Sequence, residues 1–288
     1  MAIVFGIDVG GTNIKARLVG DGDAVLAEQV VPTPRSDPEG TATLDVVAGL
    51  VRGAGAVDAV GLAVPGVVDE TTGTCHYSVN LGWRDLPVAR LLTERTGVPA
   101  LALHDVRAGA IGEKWSGAGA GRSGPLAFVP LGTGVAVSVV DDDLRRVGPP
   151  TAGEIGHIRF PRGPFAGLVV EDVASAGGMA RRAGLPDAEA VLAAARAGDA
   201  GAAAVWRDCL EVLGDALTWL VTVTAPTTVV IGGGLANAGA VLFDPLTAAV
   251  AARTPTFLPP VELLPARHGS SAAAAGAARL ARVVLLGG

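Results

Sequence analysis

Ile3-Val4-Phe5-Gly6-Ile7-Asp8-Val9-Gly10-Gly11-Thr12-Asn13-Ile14-Lys15-Ala16-Arg17-Leu18-Val19 opens the chain as two apolar, β-branched runs joined by a glycine pair. Such runs, ended by glycine, predict a strand over Ile3–Val9, a loop at Gly10-Gly11-Thr12 and a second strand over Ile14–Val19. The turn Gly20-Asp21-Gly22-Asp23 then leads into a third strand, Ala24–Val31. The same design returns at Leu126–Leu131, which stops at Gly132-Thr133-Gly134 and continues as Val135–Val140, Asp141-Asp142-Asp143 and Leu144–Val147. This recurrence predicts two related halves, each opening on a β-meander with a glycine-rich first turn.

Between the two openings the pattern predicts a helix over Pro38–Arg52, a strand over Ala59–Val64, a helix over Leu86–Thr96, a strand over Ala100–Leu103 and a helix over Asp105–Trp115. After the second opening it predicts helices over Val170–Ala183, Ala188–Ala197 and Ala202–Thr222, and a strand over Thr228–Ile231. A helix after Gly239, a strand near Val261–Leu264 and a last helix over Ser271–Val284 follow. Alternating strands and helices make this an α/β protein. Gly117-Ala118-Gly119-Ala120-Gly121-Arg122-Ser123-Gly124 reads as the hinge, giving an N-terminal α/β domain over 1–118 and a larger one over 119–288. The length of 288 residues suits two domains at ~100–200 residues each.

Composition closes several routes. A net charge of -6 with no Lys/Arg cluster argues against a nucleic-acid binder. The mean hydropathy of +0.47 raises the question of a membrane span, and Ala216–Phe243 carries no charge. Yet Pro226 and Gly232-Gly233-Gly234 interrupt that stretch, which reads as helix end, buried strand and glycine turn. Two distant cysteines, Cys75 and Cys209, offer neither a disulfide framework nor a thiolate zinc site, so a reducing, cytoplasmic setting is expected.

Three glycine clusters, Gly10-Gly11-Thr12, Gly132-Thr133-Gly134 and Gly232-Gly233-Gly234, each end a predicted buried strand. Glycine lets successive N–H groups point into one concavity and lets an anion approach, so such loops hold phosphates; each alone is equally a structural turn. Neither a P-loop nor a G-x-G-x-x-G signature is present. Asp8, inside an apolar strand, is either a cap for the turn amides or a group facing Mg²⁺, directly or through water. Lys15 reads as a phosphate contact or as a solvated lysine. His104-Asp105 ends one strand and starts a helix, where Asp105 is an N-cap or a working carboxylate. Glu154, His157 and Glu171, with Asp172, are sugar-hydroxyl acceptors, metal ligands or loop polar groups, metal being the least favoured.

Asp8-x-Gly10-Gly11-Thr12-x-x-Lys15, Leu131-Gly132-Thr133-Gly134, Ala152-Gly153-Glu154-Ile155-Gly156-His157 and Ile231-Gly232-Gly233-Gly234 together resemble the ROK family of sugar kinases and repressors, a branch of the actin-like ATPases. Val64-Pro65-Gly66, Asn80-Leu81-Gly82-Trp83 and Gly276-Ala277-Ala278 extend the resemblance over the whole chain. It implies two RNase H-like α/β domains flanking a cleft, with the last helix, about 271–284, packing back on the first domain. It implies ATP and Mg²⁺, with Asp8 at the metal and Gly10, Gly11, Thr12, Lys15, Gly132, Thr133 and Gly134 at the phosphates. Gly233 and Gly234 would flank the adenosine. Asp105 matches the catalytic base, and Gly66, Asn80, Glu154, His157 and Glu171 match the sugar pocket, where His104 stands in place of the usual Asn.

Many members also bind zinc through three cysteines; those positions here hold Arg162, Pro164 and Val169, so zinc is not expected and Phe160, Phe165 and Leu168 are left to pack the loop before Glu171. The implied activity is ATP-dependent phosphorylation of the C6 hydroxyl of glucose or of a modified glucose such as an aminohexose. The alternatives are a polyphosphate-dependent glucokinase and a non-catalytic sugar-binding regulator. Repressors of the family carry an N-terminal winged helix of some 60–80 residues, whereas here the phosphate strand begins at Ile3. The expected partners are a sugar and ATP, with no nucleic acid and no membrane; homodimers are common in the family.

Overall fold

The computed structural model describes residues 2–149 and 151–287. The chain forms two compact units, one of Met1–Gly121, Leu144–Thr151 and Arg267–Gly288, the other of Arg122–Asp143 and Ala152–Ala266.

The first unit begins with β1 (Val4–Val9), β2 (Asn13–Val19) and β3 (Val25–Pro32), an antiparallel meander. Helix α1 (Thr41–Gly53) and β4 (Ala59–Val64) follow, then a small sheet of β5 (Val67–Asp69), β6 (Thr74–Ser78) and β7 (Trp83–Leu86). Helix α2 (Val88–Thr96), β8 (Ala100–His104) and α3 (Asp105–Trp115) complete its first stretch. The main sheet runs β3-β2-β1-β4-β8, with β1, β4 and β8 parallel. Every residue of β4 is buried, as a central strand covered on both faces requires, whereas β3 is an exposed edge. Phe5, Ile7, Val9, Leu44, Val47, Trp83 and Leu92 share one core cluster.

The second unit holds β9 (Leu126–Pro130), β10 (Ser138–Val140), α4 (Val170–Ala174), α5 (Ala176–Ala183), α6 (Ala188–Arg196), α7 (Ala200–Thr224), β11 (Thr228–Gly232), α8 (Ala240–Arg253) and β12 (Glu262–Pro265). Its sheet runs β10-β9-β11-β12, with only β10 antiparallel. The charge-free stretch is the end of α7, then β11, then a glycine turn. Among the described residues no helix is long and apolar enough to cross a membrane.

The last helix, α9 (Ala272–Leu286), belongs to the first unit and lies on β1, β4 and α3. It approaches backbone to backbone. A Cβ on Gly6 would come 1.9 Å from the Ala274 carbonyl oxygen, one on Gly61 2.0 Å from that of Ala277, and one on Gly276 1.7 Å from that of Ala108. Only glycine at these crossings allows such contact. The fully buried Glu113 anchors the approach to α9: its carboxylate accepts N–H bonds from Ala118 (2.8 Å), Arg267 (3.0 Å) and His268 (2.7 Å). Three amide donors compensate the desolvated charge.

The elements depart from the sequence reading in four places, the first being the small β5–β6–β7 sheet, which the pattern does not predict. The strand expected over Val135–Val140 is regular only from Ser138, because Val137 N–H donates to Gly153 O and Val135 O accepts from Gly156 N–H. No strand forms over Leu144–Val147; this segment groups with the first unit, where the linear boundary at 118/119 assigned it to the second. The helix expected over Val170–Ala183 breaks at Ser175, whose hydroxyl caps the second piece by accepting from Gly178 N–H.

Candidate active site

In the first unit, parallel register decides which residues meet. Asp8 pairs with Ala63 across β1 and β4, and Val64 pairs with His104 across β4 and β8. Asp8, Gly66 and Asp105 therefore lie at the carboxyl ends of three adjacent strands, where α/β sheets place their ligands. The β1–β2 turn is tied down from outside: Gly10 N–H donates to Asn13 O (3.0 Å), while Thr33 donates its hydroxyl to Gly10 O (2.6 Å) and its N–H to Thr12 O (2.9 Å). The loop tip, Gly11 and Thr12, is exposed, and among the described residues no hydrogen bond forms to either amide. Thr33 was not singled out in the sequence, since a lone Thr after a strand carries no signal.

Asn80 lies beside this loop; a Cβ on Gly11 would stand 3.5 Å from its Cβ. Gly66 presses on β6, where a Cβ would meet the Tyr77 carbonyl at 2.1 Å, so its glycine is explained by packing of the small sheet. Lys15 pairs opposite Asp8 in the β1–β2 ladder and donates from Nζ to Ser270 O at 3.1 Å. The ammonium thus spends one of its three donors on the start of α9.

Asp105 opens α3. Its Oδ1 accepts from Val106 N–H (2.8 Å) and lies 3.1 Å from His104 Nε2, while among the described residues Oδ2 has no hydrogen-bond partner. Asp105 is thus the first residue of α3 and not its N-cap; that position is His104, and no side chain caps the helix start. Asp8 keeps a little exposed surface, but its carboxyl is enclosed. Burial, then the nearby Asp105 charge, push it from the ordinary 3.8 up to about 7, against the pull of Lys15. A buried acid crowded by a like charge favours a cation. Mg²⁺ fits this donor set, since it is commonly held by one or two carboxylates plus phosphate oxygens and water.

In the second unit β9 and β11 are adjacent and parallel, with Pro130 opposite Gly232, so both remaining glycine loops start at one sheet end. Leu131 N–H donates to Gly232 O (2.9 Å), and a Cβ on Gly233 would meet Leu131 O at 2.3 Å. A Cβ on Gly132 or Gly234 would meet nothing within 4 Å, which leaves their faces open to a ligand. Thr133 lies between Gly132 and Gly134 on the first of these loops.

Gly153, at φ +108, and Gly156 press against the backbone of Val137 and Val135, which stations Glu154 and His157 beside the Gly132–Gly134 loop. The His157 ring lies between two carboxylates, with Nε2 3.7 Å from Glu154 Oε2 and Nδ1 3.8 Å from Glu171 Oε1. Glu171 Oε2 fills the space where Gly134 or Gly156 would carry a Cβ, at 2.7 and 3.0 Å. Three acidic and imidazole groups converge, as the sequence reading grouped them. The loop before Glu171 closes through Phe160 N–H to Leu168 O (2.9 Å), a tilted Phe160–Phe165 ring pair at 5.7 Å, and Arg182 over Phe165.

Residues 4–284 match the ROK family. The chain belongs to that family. A glucokinase from Halalkalibacterium halodurans is 32% identical over 274 residues, covering 84% of this chain and 83% of that protein. Among solved structures, the ROK hexokinase from Thermus thermophilus is similar with a TM-score of 0.85 at 30% identity, covering 99% of this chain and 100% of that one. The ROK glucokinase from Streptomyces griseus, solved with glucose and AMPPNP, gives 0.81 at 27% identity over 98% and 99% of the two chains. The α/β fold of this ROK protein is thus the actin-like ATPase architecture of the ROK sugar kinases.

The raised Asp8 carboxyl carries a stability consequence. Between about pH 4 and 7 the folded chain holds a proton that the unfolded chain has released, so this group's contribution falls as pH rises and is lost above about 7. Asp8→Asn removes the penalty: without Mg²⁺ its Tm at pH 8 is expected to exceed that of the wild type, with the gap closing towards pH 4. Thermal denaturation across that range checks this, and a lower Tm for the variant at pH 8 contradicts it.

Proposed function

We propose that this ROK sugar kinase transfers the γ-phosphoryl group of ATP to the C6 hydroxyl of glucose or of a modified glucose such as an aminohexose. The observation that carries the reading is the Asp105 carboxylate, oriented through Oδ1 by Val106 N–H and His104 and left with Oδ2 to take the hydroxyl proton. Glu154, His157 and Glu171 hold sugar hydroxyls. Charged acceptors suit a polyol, since each accepts strong hydrogen bonds in a defined direction.

Phosphoryl transfer asks for in-line placement and charge neutralisation more than for covalent help. The amides of Gly11 and Thr12 and of Thr133 and Gly134 cradle phosphate oxygens, Gly10 and Gly132 shape the two loops by donating within them, Lys15 adds positive charge near the first loop, and Gly233 and Gly234 flank the nucleoside. Asp8 orients Mg²⁺, directly or through water; the ion, when bound, supplies neutralisation of the phosphate charge. AMPPNP in the Streptomyces griseus relative supports ATP as donor, and side-by-side assays with ATP and polyphosphate test that choice.

A coupled ADP-release assay over glucose, mannose, N-acetylglucosamine, N-acetylmannosamine, 2-amino- and 3-aminoglucose and fructose tests the acceptor. Asp105→Asn is expected to lower kcat by about 10²–10⁴-fold while sugar binding stays within a few-fold; a near wild-type rate overturns its role as base. His104 leaves one ring nitrogen for the sugar, where the family usually has Asn. His104→Asn is expected to move the ranking of that panel towards glucose, and an unchanged ranking removes His104 from the specificity of the site.

A further inference from the structure

His157 and Glu171 are well separated in sequence, yet the chain between them brings them together within the second unit. Residues 158–170 fold back as a closed loop. At its base Val170 N–H donates to Ile158 O at 3.0 Å, and Arg159 pairs antiparallel with Val169. Further along, Phe160 N–H donates to Leu168 O and Gly167 N–H to Phe160 O, both at 2.9 Å, and the Arg159 guanidinium reaches Gly167 O. His157 and Glu171 are the two residues just outside the base. Closing the loop is therefore what leaves His157 Nδ1 3.8 Å from Glu171 Oε1.

The loop has few holds on the rest of the unit. Apart from Phe160, Phe165, Val169 and Val170, every one of its residues is exposed. Exposed backbone bonds of this kind open readily, so side-chain anchors decide how well the base stays shut. Phe160 and Phe165 pack against the core cluster of the unit, and Arg182 of α5 lies over the Phe165 ring, its Cζ 5.4 Å from the centroid. The Arg182 Nη2 donates to the Asp208 carboxylate of α7; the two side chains are 25% and 32% exposed. Nη1 is buried and finds no hydrogen-bond acceptor among the described residues. A guanidinium sited for its own hydrogen bonds would satisfy that donor, whereas this one lies where a cation meets an aromatic ring.

We propose that Arg182 and Asp208 are positioning residues for sugar recognition: clasping Phe165, they keep the loop shut and so hold His157 and Glu171 side by side. This rests on the reading of His157 and Glu171 as sugar ligands. Arg182 and Asp208 act through the Phe165 ring and the backbone of the loop, not on the substrate. An ordinary half-exposed ion pair adds little to stability and does not favour one substrate over the other. A clasp acts on the hexose and spares the nucleotide.

The test is a steady-state comparison of Arg182→Ala, Arg182→Lys, Asp208→Ala, Phe165→Leu and Arg182→Ala/Phe165→Leu in the full chain, using the hexose of the panel above that is turned over fastest. Arg182→Ala is expected to raise the KM for that hexose about fivefold or more, while kcat and the KM for ATP stay within about threefold. Asp208→Ala shows the same split. So does Phe165→Leu, which keeps apolar packing but removes the ring, and which carries the test if Arg182→Ala does not fold. Arg182→Lys recovers only part of the loss, since an ammonium lacks the planar fork that meets ring and carboxylate together. The double variant is no worse than the worse single one, because both residues belong to one clasp. A folded Arg182→Ala or Phe165→Leu protein with an unchanged hexose KM overturns the inference, as does an equal rise in both KM values. Glu171→Gln separates this from the underlying reading: an unchanged hexose KM there removes Glu171 as a sugar ligand and the inference with it, whereas a raised KM beside an unaffected Arg182→Ala sinks only the clasp.

Discussion

Two carboxyl groups that repel each other, Asp8 and Asp105, are brought to one end of a parallel sheet and held there. Register leaves them no alternative, because β1, β4 and β8 are neighbours and their carboxyl ends coincide. The cover over the sheet is equally constrained: α9 reaches β1, β4 and α3 only because Gly6, Gly61 and Gly276 carry no side chain, and the chain is tied in just before it by the buried Glu113. The crowding that results is unfavourable for the empty protein and favourable for a cation. The proposed Mg²⁺ site would sacrifice stability in this way.

In the second unit, glycine serves geometry in two distinct senses. Gly132 and Gly234 leave open space, as an anion cradle needs, whereas Gly134 and Gly156 make room for the Glu171 carboxylate, and Gly153 and Gly233 let one loop lie against another. The loop proposed to hold phosphate and the cluster proposed to hold sugar hydroxyls are therefore in contact: the Glu171 carboxylate rests against Gly134. Ala176 N–H, at the start of α5, adds a bond to Gly132 O at 2.9 Å.

Much of this was legible in the sequence because it is written locally. Alternation and glycine stops located β1, β2, β3, β9 and β11, and the apolar period located α3, α7 and α9. Asp8 stood out as a charge inside a buried run, and Glu154, His157 and Glu171 as clustered polar groups in apolar surroundings. What was missed is non-local. The segment 144–147 reads as a third meander strand until Arg146 meets Glu70, 76 residues away, and the helix over 170–183 reads as continuous until the Ser175 hydroxyl finds Gly178 N–H. Glu113 looks like an ordinary helical acid; only the return of the chain at Arg267 and His268, more than 150 residues later, reveals why it is buried. Long-range ion pairs and backbone anchors leave no periodic trace.

Asp8 sits crowded beside Asp105, and the proposed Mg²⁺ would relieve that crowding. The most direct measurement is a ¹³C NMR titration of the aspartate carboxyls, with Asp8→Asn identifying the resonance, in the free protein and with Mg²⁺·AMPPNP. The expected result is one carboxyl that titrates near pH 7 in the free protein and falls into the ordinary carboxylate range when the complex forms. An Asp8 carboxyl that already titrates in the ordinary range in the free protein, or that the Mg²⁺ complex leaves unmoved, contradicts the account.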